Sequence, residues 1–171
     1  MTRGPAISLR PAAREDVPVV ARLIRALAEY ERLSHLVVGT EDDLRRELFG
    51  VHPVIESVVA WDDDRAVGFA LFFHNYSTFL ARPGIYLEDL FVVPARRGLG
   101  LGKRLLAALA ALAVERGCGR LEWSVLKWNA PAIGFYERLG AVAMDGWQVY
   151  RLAGGSLVAL AEASRELDGG P

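Results

Sequence analysis

Residues 86–103 read Tyr-Leu-Glu-Asp-Leu-Phe-Val-Val-Pro-Ala-Arg-Arg-Gly-Leu-Gly-Leu-Gly-Lys. A strand reads up to Val93, a basic glycine-rich turn follows over Arg96–Lys103, and an apolar helix starts near Gly102 and runs to about Arg116. Such a junction is an anion site in the making: the unpaired N–H groups of the helix start and the positive end of its dipole point outward together. Gly98, Gly100 and Gly102 allow close backbone approach with no Cβ in the way. The expected ligand carries phosphates. Two familiar phosphate motifs come near and fail. The spacing G-x-G-x-G is one residue short of the dinucleotide fingerprint, and the acidic residue due some 20 positions on is missing. A P-loop ending at Gly102-Lys103 needs glycine at 97 and Ser or Thr at 104, where the chain has Arg97 and Arg104.

The rest of the chain frames this junction. Its 171 residues suit one domain, and 52% hydrophobic and 24% charged residues with a net charge of −1 are ordinary for a globular protein. That balance gives no global attraction to nucleic acid or an anionic membrane. One cysteine, Cys118, allows no internal disulfide and is read as structural. His35, His52 and His74 lack metal-ligand spacing, so no metal is expected, and the four tryptophans have no basic stripe beside them. With no apolar signal segment and no apolar run of 18 residues, a soluble cytoplasmic protein is expected. Asp168–Pro171 reads as a frayed tail.

The periodicities predict a strand at Ile7–Arg10, a helix over Arg14–Glu31, and a helix over Glu41–Phe49 capped by Thr40 with Asp43. An antiparallel hairpin is expected from Val54–Trp61 and Ala66–His74 around the acidic turn Asp62–Arg65, then the strand Ile85–Val93. Beyond the glycine turn and its helix come a strand at Arg120–Val125 and a helix capped by Asn129, with Pro131 in its first turn and its end at Gly140. Trp147–Leu152 alternates as a last strand, and Ser156–Ala163 reads as a short terminal helix. The order β-α-α-β-β-β-α-β-α-β fits an α/β domain with a mixed sheet.

Arg97-x-x-Gly100-x-Gly102 resembles the acetyl-CoA pyrophosphate loop of the GNAT N-acetyltransferase superfamily. Tyr86-Leu87-Glu88-Asp89 before it and Trp128-Asn129-x-Pro131-x-Ile133-x-Phe135-Tyr136-x-x-Leu139-Gly140-Ala141 after it are similar to the diamine acetyltransferase branch, which includes spermidine/spermine and thialysine N-acetyltransferases. Leu23–Glu31 and Asn75–Phe79 extend the likeness over roughly residues 7–162. The resemblance implies an α/β (α+β) GNAT fold over 1–171, a mixed, mostly antiparallel central sheet flanked by helices, and homodimers. It implies acetyl-CoA as co-substrate, its pantetheine arm on the backbone of Leu90, Phe91, Val92 and Val93. Its pyrophosphate would lie on Arg97, Gly98, Leu99, Gly100, Leu101, Gly102 and Lys103, with Arg96 and Arg104 able to add charge. Asn129, Ala132 and Tyr136 complete the implied cofactor contacts.

Acetyl transfer to an amine requires that the amine lose a proton and the departing thiolate gain one. A lysine-like amine has pKa ~10.4, so only about one molecule in two thousand is neutral at pH 7, a cost of ~4–5 kcal/mol without a base. Glu88 and Asp89 are the candidate carboxylates. Regular alternation along a strand would turn them to opposite faces. The resemblance assigns the base, acting through water, to Glu88 with Asp89 in support, and the acid to Tyr136. A phenol near pKa 10 is closely matched to a thiol near 8.5. Phe135 and Tyr136 cannot both face one core, so Phe135 is expected to pack and Tyr136 to face the cleft. Tyr30, Glu31, Glu88, Asp89 and Asp145 occupy acceptor positions by the same resemblance. Ser77, where polyamine enzymes carry an acid, favours an acceptor with fewer positive charges than spermine. Ordinary surface charge at Glu31 and Asp145, acetylation of a peptide amine, and a non-catalytic acyl-CoA sensor are the competing readings.

Overall fold

A computed structural model describes residues 7–168. The first six residues and 169–171, most of the expected tail, lie outside the described residues. The chain divides after Ser124 into two compact units.

The first unit is built on one sheet of five strands in the order β1 (Ser8–Pro11), β2 (Glu56–Asp62), β3 (Arg65–Ser77), β4 (Arg82–Val92) and β5 (Leu121–Trp123). The first three pairings are antiparallel, and β5 joins β4 in parallel. A parallel neighbour requires a crossover, here the helix α3 (Leu101–Glu115). The hairpin between β2 and β3 turns at Asp63, at φ 54. Helix α1 (Val17–Tyr30) begins three residues later than its periodicity suggests, because Arg14–Asp16 forms a tighter 3-10 turn before Pro18. Helix α2 (Glu41–Phe49) has the expected bounds. The core sets Val20, Leu23 and Leu27 of α1 against Val59, Phe69, Leu71 and Phe91 of the sheet. Alternate residues of β3 face the other way. At Gly68 an added Cβ would lie 2.8 Å from the Phe91 carbonyl and 3.5 Å from Leu105 of α3.

Strand β4 is irregular in two ways. Its register against β3 slips by one residue, with Leu87 opposite Phe72 but Asp89 opposite Leu71, so Glu88 is the extra residue of a β-bulge. Its pairing with β5 ends at Leu87. From Glu88 onward, β3 is its one ladder partner among the described strands.

The second unit holds α4 (Ala130–Arg138) and α5 (Gly154–Asp168). Asn129 caps α4 as expected, its Oδ1 accepting from the Ala132 N–H at 3.4 Å, and Gly140 follows the helix at φ 88. The expected strand Trp147–Leu152 is not formed, so the observed order ends α-α where the alternating residues suggest α-β. Alternation states which face a strand would bury; a strand needs a ladder as well, and this unit offers no second one among the described residues. The terminal helix is also longer than predicted. No described helix is long and apolar enough to cross a membrane.

Candidate functional site: the β4–α3 junction

After Val92 the chain makes a 3-10 turn at Pro94–Arg96 and enters α3 at Leu101. Gly98 and Gly100 have φ of 78° and 77°, and a Cβ on either would meet nothing within 4 Å. Backbone conformation therefore requires both glycines, and the space above them is open. Gly100 is the N-cap of α3, and no side chain caps this helix. Leu101 is only 2% exposed and Phe91 only 4%, so neither can offer a ligand its side chain, whereas Leu99 is 65% exposed.

The basic residues divide sharply. Arg96 is held by the carboxylate of Asp62, which is buried, and Arg104 donates to the Ile7 carbonyl at 2.7 Å. These two, expected as possible phosphate partners, are engaged in holding the fold. Lys103 is exposed in the first turn of α3. Arg97 folds back over β4, donating through Nε to the Val92 carbonyl at 2.9 Å with its guanidinium 4.2 Å above the Tyr30 ring. Val93 has its N–H donated to Val67 and its carbonyl accepting from Arg96, so it is less suited to pantetheine pairing than Leu90–Val92.

Upstream, the bulge changes the carboxylates. Strict alternation does not carry across it, so the expectation that Glu88 and Asp89 face opposite ways loses its basis. Asp89 is pushed up to about 6 by burial first, then by the charges of Glu88 and Glu31. Glu31, directly after α1, is itself raised by burial. Two of the expected acceptor carboxylates, Glu88 and Glu31, thus act on a third, Asp89, at the bulge of β4. Tyr30 joins them through the chain and meets the glycine loop through Arg97. Asp145 stands in a turn of the second unit, closed by the Trp147 N–H donating to Met144 at 3.1 Å.

In the second unit, Asn129, Ala132 and Tyr136 share α4 and the turn before it. The Ala132 N–H is the group that Asn129 caps. Phe135 and Tyr136 touch each other, ring centroids 5.3 Å apart and planes at 51°. An open, mainly apolar cavity of about 350 Å³ between α1 and α2, lined by Ile24, Leu36, Val38 and Leu44 among others, includes none of the expected site residues. What sequence reasoning missed is the bulge at Glu88 and the Arg97–Tyr30 stack. Both arise from partners distant in the chain, and neither leaves a local signal.

Residues 21–141 match the acetyltransferase (GNAT) family. The chain belongs to that family. It is 37% identical to a thialysine N-epsilon-acetyltransferase of Bos taurus, over 95% of this chain and 98% of the relative. It is 35% identical to the L-ornithine N5-acetyltransferase NATA1 of Arabidopsis thaliana, over 89% and 86%. An integron cassette protein from V. cholerae shares the fold at a TM-score of 0.78 and 26% identity, covering 91% of this chain and 98% of its own. The chain is a GNAT N-acetyltransferase, and the mixed α/β architecture with a mostly antiparallel sheet is that of its structural neighbours.

Proposed function

We propose that this acetyltransferase moves an acetyl group from acetyl-CoA to the side-chain amine of a small, basic aliphatic substrate, an amino acid such as thialysine or ornithine, with diamines and polyamines as lesser acceptors. The observation that carries it is β4 itself. This one strand bears the crowded carboxylates at its bulge and then runs directly into the left-handed glycines and uncapped start of α3. Its bulge suits a cation, and the helix start beyond its C-terminal end suits an anion of high charge. A cation bound beside Asp89 would favour its ionised form and relieve the mutual repulsion with Glu88 and Glu31. The two relatives named for basic amino acids support this acceptor class.

In this reading pyrophosphate lies on Arg97–Lys103 and the pantetheine amides pair with the free edge of Leu90–Val92. Glu88, with Asp89 in support, takes the ammonium proton through water. The neutral nitrogen attacks the thioester carbon, the C–S bond breaks, Tyr136 gives its proton to the CoA thiolate, and the proton that the new amide nitrogen sheds restores the Tyr136 phenol. Asn129 and Ala132 flank the donor, while Tyr30, Glu31 and Asp145 hold the acceptor. The protein acts in the cytoplasm as a homodimer, and a solution mass near the 18.7 kDa of one chain would remove the dimer.

The test is CoA release with a panel of thialysine, ornithine, putrescine, spermidine and lysine-containing peptides. Turnover should be highest with the amino acids, and Tyr136→Phe should lower it on the order of 10²-fold with the melting temperature unchanged. A preference for peptides would transfer the protein to a different acceptor class. Bound acetyl-CoA with no turnover on any amine would leave only the sensor.

A further inference from the structure

Arg97 touches both halves of the site. Its guanidinium carbon stands 4.2 Å from the Tyr30 ring centroid and 5.5 Å from that of Phe91, and its Nε holds the Val92 carbonyl at 2.9 Å. A cation within about 6 Å of an aromatic face is held by the ring's quadrupole, so the position Arg97 fills over Tyr30 is one an alkylammonium group could also fill. Tyr30 adjoins Glu31, whose charge reaches Asp89, which sets that ring on the acidic side of the site. The Val92 carbonyl belongs to the free edge of β4, on the donor side. One side chain therefore lays the protein's own cation on a group from each side.

We propose that Arg97 is a positioning residue that couples the two substrates: while the donor is absent its guanidinium occupies the acceptor's aromatic cation position on Tyr30, and the donor's pyrophosphate draws it away. The inference rests on the reading of Arg97–Lys103 as the pyrophosphate loop and of Tyr30 as an acceptor contact. The exchange is favourable because a guanidinium gains charge-assisted, often bidentate hydrogen bonds to phosphate in place of one neutral carbonyl and a ring face. No neighbouring arginine can substitute. Arg96 is fixed by Asp62 and Arg104 by Ile7. Withdrawal of Arg97 uncovers the Tyr30 face and releases the Val92 carbonyl at the same moment. Donor binding thus prepares the acceptor position, and by linkage the acceptor must tighten the donor by the same factor.

Calorimetric titration of thialysine, with and without saturating CoA as a donor that cannot react, tests this. In the wild-type protein CoA should tighten thialysine about tenfold. Arg97→Met should bind thialysine without CoA as tightly as the wild type does with it, and CoA should then add nothing. Tyr30→Leu, which removes the face and keeps the arginine, should also abolish the coupling. Lys103→Met should weaken CoA yet leave the coupling intact at saturation. Equal thialysine affinity in both states of the wild type, or coupling that persists in Arg97→Met or Tyr30→Leu, overturns the proposal. Absence of thialysine binding in either state, with CoA still bound, overturns the acceptor assignment and the coupling together.

Discussion

Two helix starts in the first unit are built on opposite plans. At α2, Thr40 accepts the Asp43 N–H at 3.1 Å, and Asp43 accepts the Thr40 N–H at 3.0 Å and its hydroxyl at 2.7 Å. Glu41, Asp42 and Asp43 supply negative charge to the positive end of the dipole, and the Thr40 hydroxyl and N–H, with Arg46, hold the Asp43 carboxyl down at about 2. At α3 the cap is a left-handed glycine, no side chain returns to the backbone, and the first turn has no acid. Just upstream, Asp89 is displaced in the opposite direction from Asp43. A helix start closed on itself serves the fold, while one left open with mismatched charge beside it is completed by something else. In the function proposed above, that something is the pair of substrates.

The comparison breaks most decisively at Gly100. Gly100→Asp would place at α3 the kind of carboxylate that closes α2, and aspartate tolerates a left-handed backbone better than most residues. Acetyl-CoA affinity should fall at least about a hundredfold, or roughly 2.7 kcal/mol, through charge repulsion and added bulk, with the melting temperature near wild type. Unchanged affinity by calorimetry would mean that the open helix start is not where the pyrophosphate lies.

Asp89 sharpens the contrast through pH. Its folded pKa, about 6, lies above the ~3.9 expected of the unfolded chain, so folding favours its protonated form. The stability it contributes is fully present below about pH 4 and is lost as pH rises through 6, on the order of 2–3 kcal/mol. Asp89→Asn should abolish that decline and be more stable than wild type at pH 7. Parallel urea midpoints for the two proteins from pH 4 to 7 would show that Asp89 is not strained by its neighbours. Thr40→Ala is the smallest change, about 1 kcal/mol of stability by urea denaturation. Acetyl-CoA affinity should not move with it; if it does, the two helix starts are not independent.

How far the sequence could be read tracks the same division. α2 was legible to the residue because its cap, Thr40 with Asp43, is local. The β4–α3 junction was legible to within one residue at the helix start for the same reason, since strand, glycines and apolar helix succeed each other directly. Glu88's bulge was not legible. It is neither glycine nor a turn residue, and the slip exists only relative to Leu71 and Phe72 on another strand. Trp147–Leu152 failed in the reverse direction, its alternation promising a strand for which its own unit supplies no ladder among the described residues. The general basicity of residues 96–104 was plain, but the partition into Arg96 and Arg104, bound to Asp62 and Ile7, and Arg97 and Lys103, which are not so fixed, depends on remote partners.

Those two anchors bear on which changes the loop can absorb over evolutionary time. With Arg96 fastened to the end of β2 and Arg104 to the chain before β1, the seven positions 97–103 form a span between two posts. Arg97, Leu99 and Lys103 can be exchanged while the posts stand, whereas Gly98 and Gly100 are held by their left-handed backbone and Leu101 by its burial. The length of the span cannot change, because one inserted residue would rotate the start of α3 by about 100° against the post at Arg104 and turn the helix's first N–H groups away from the loop. Change in this loop is thus confined to the chemistry of its few exposed side chains, Arg97, Leu99 and Lys103, and to a constant length.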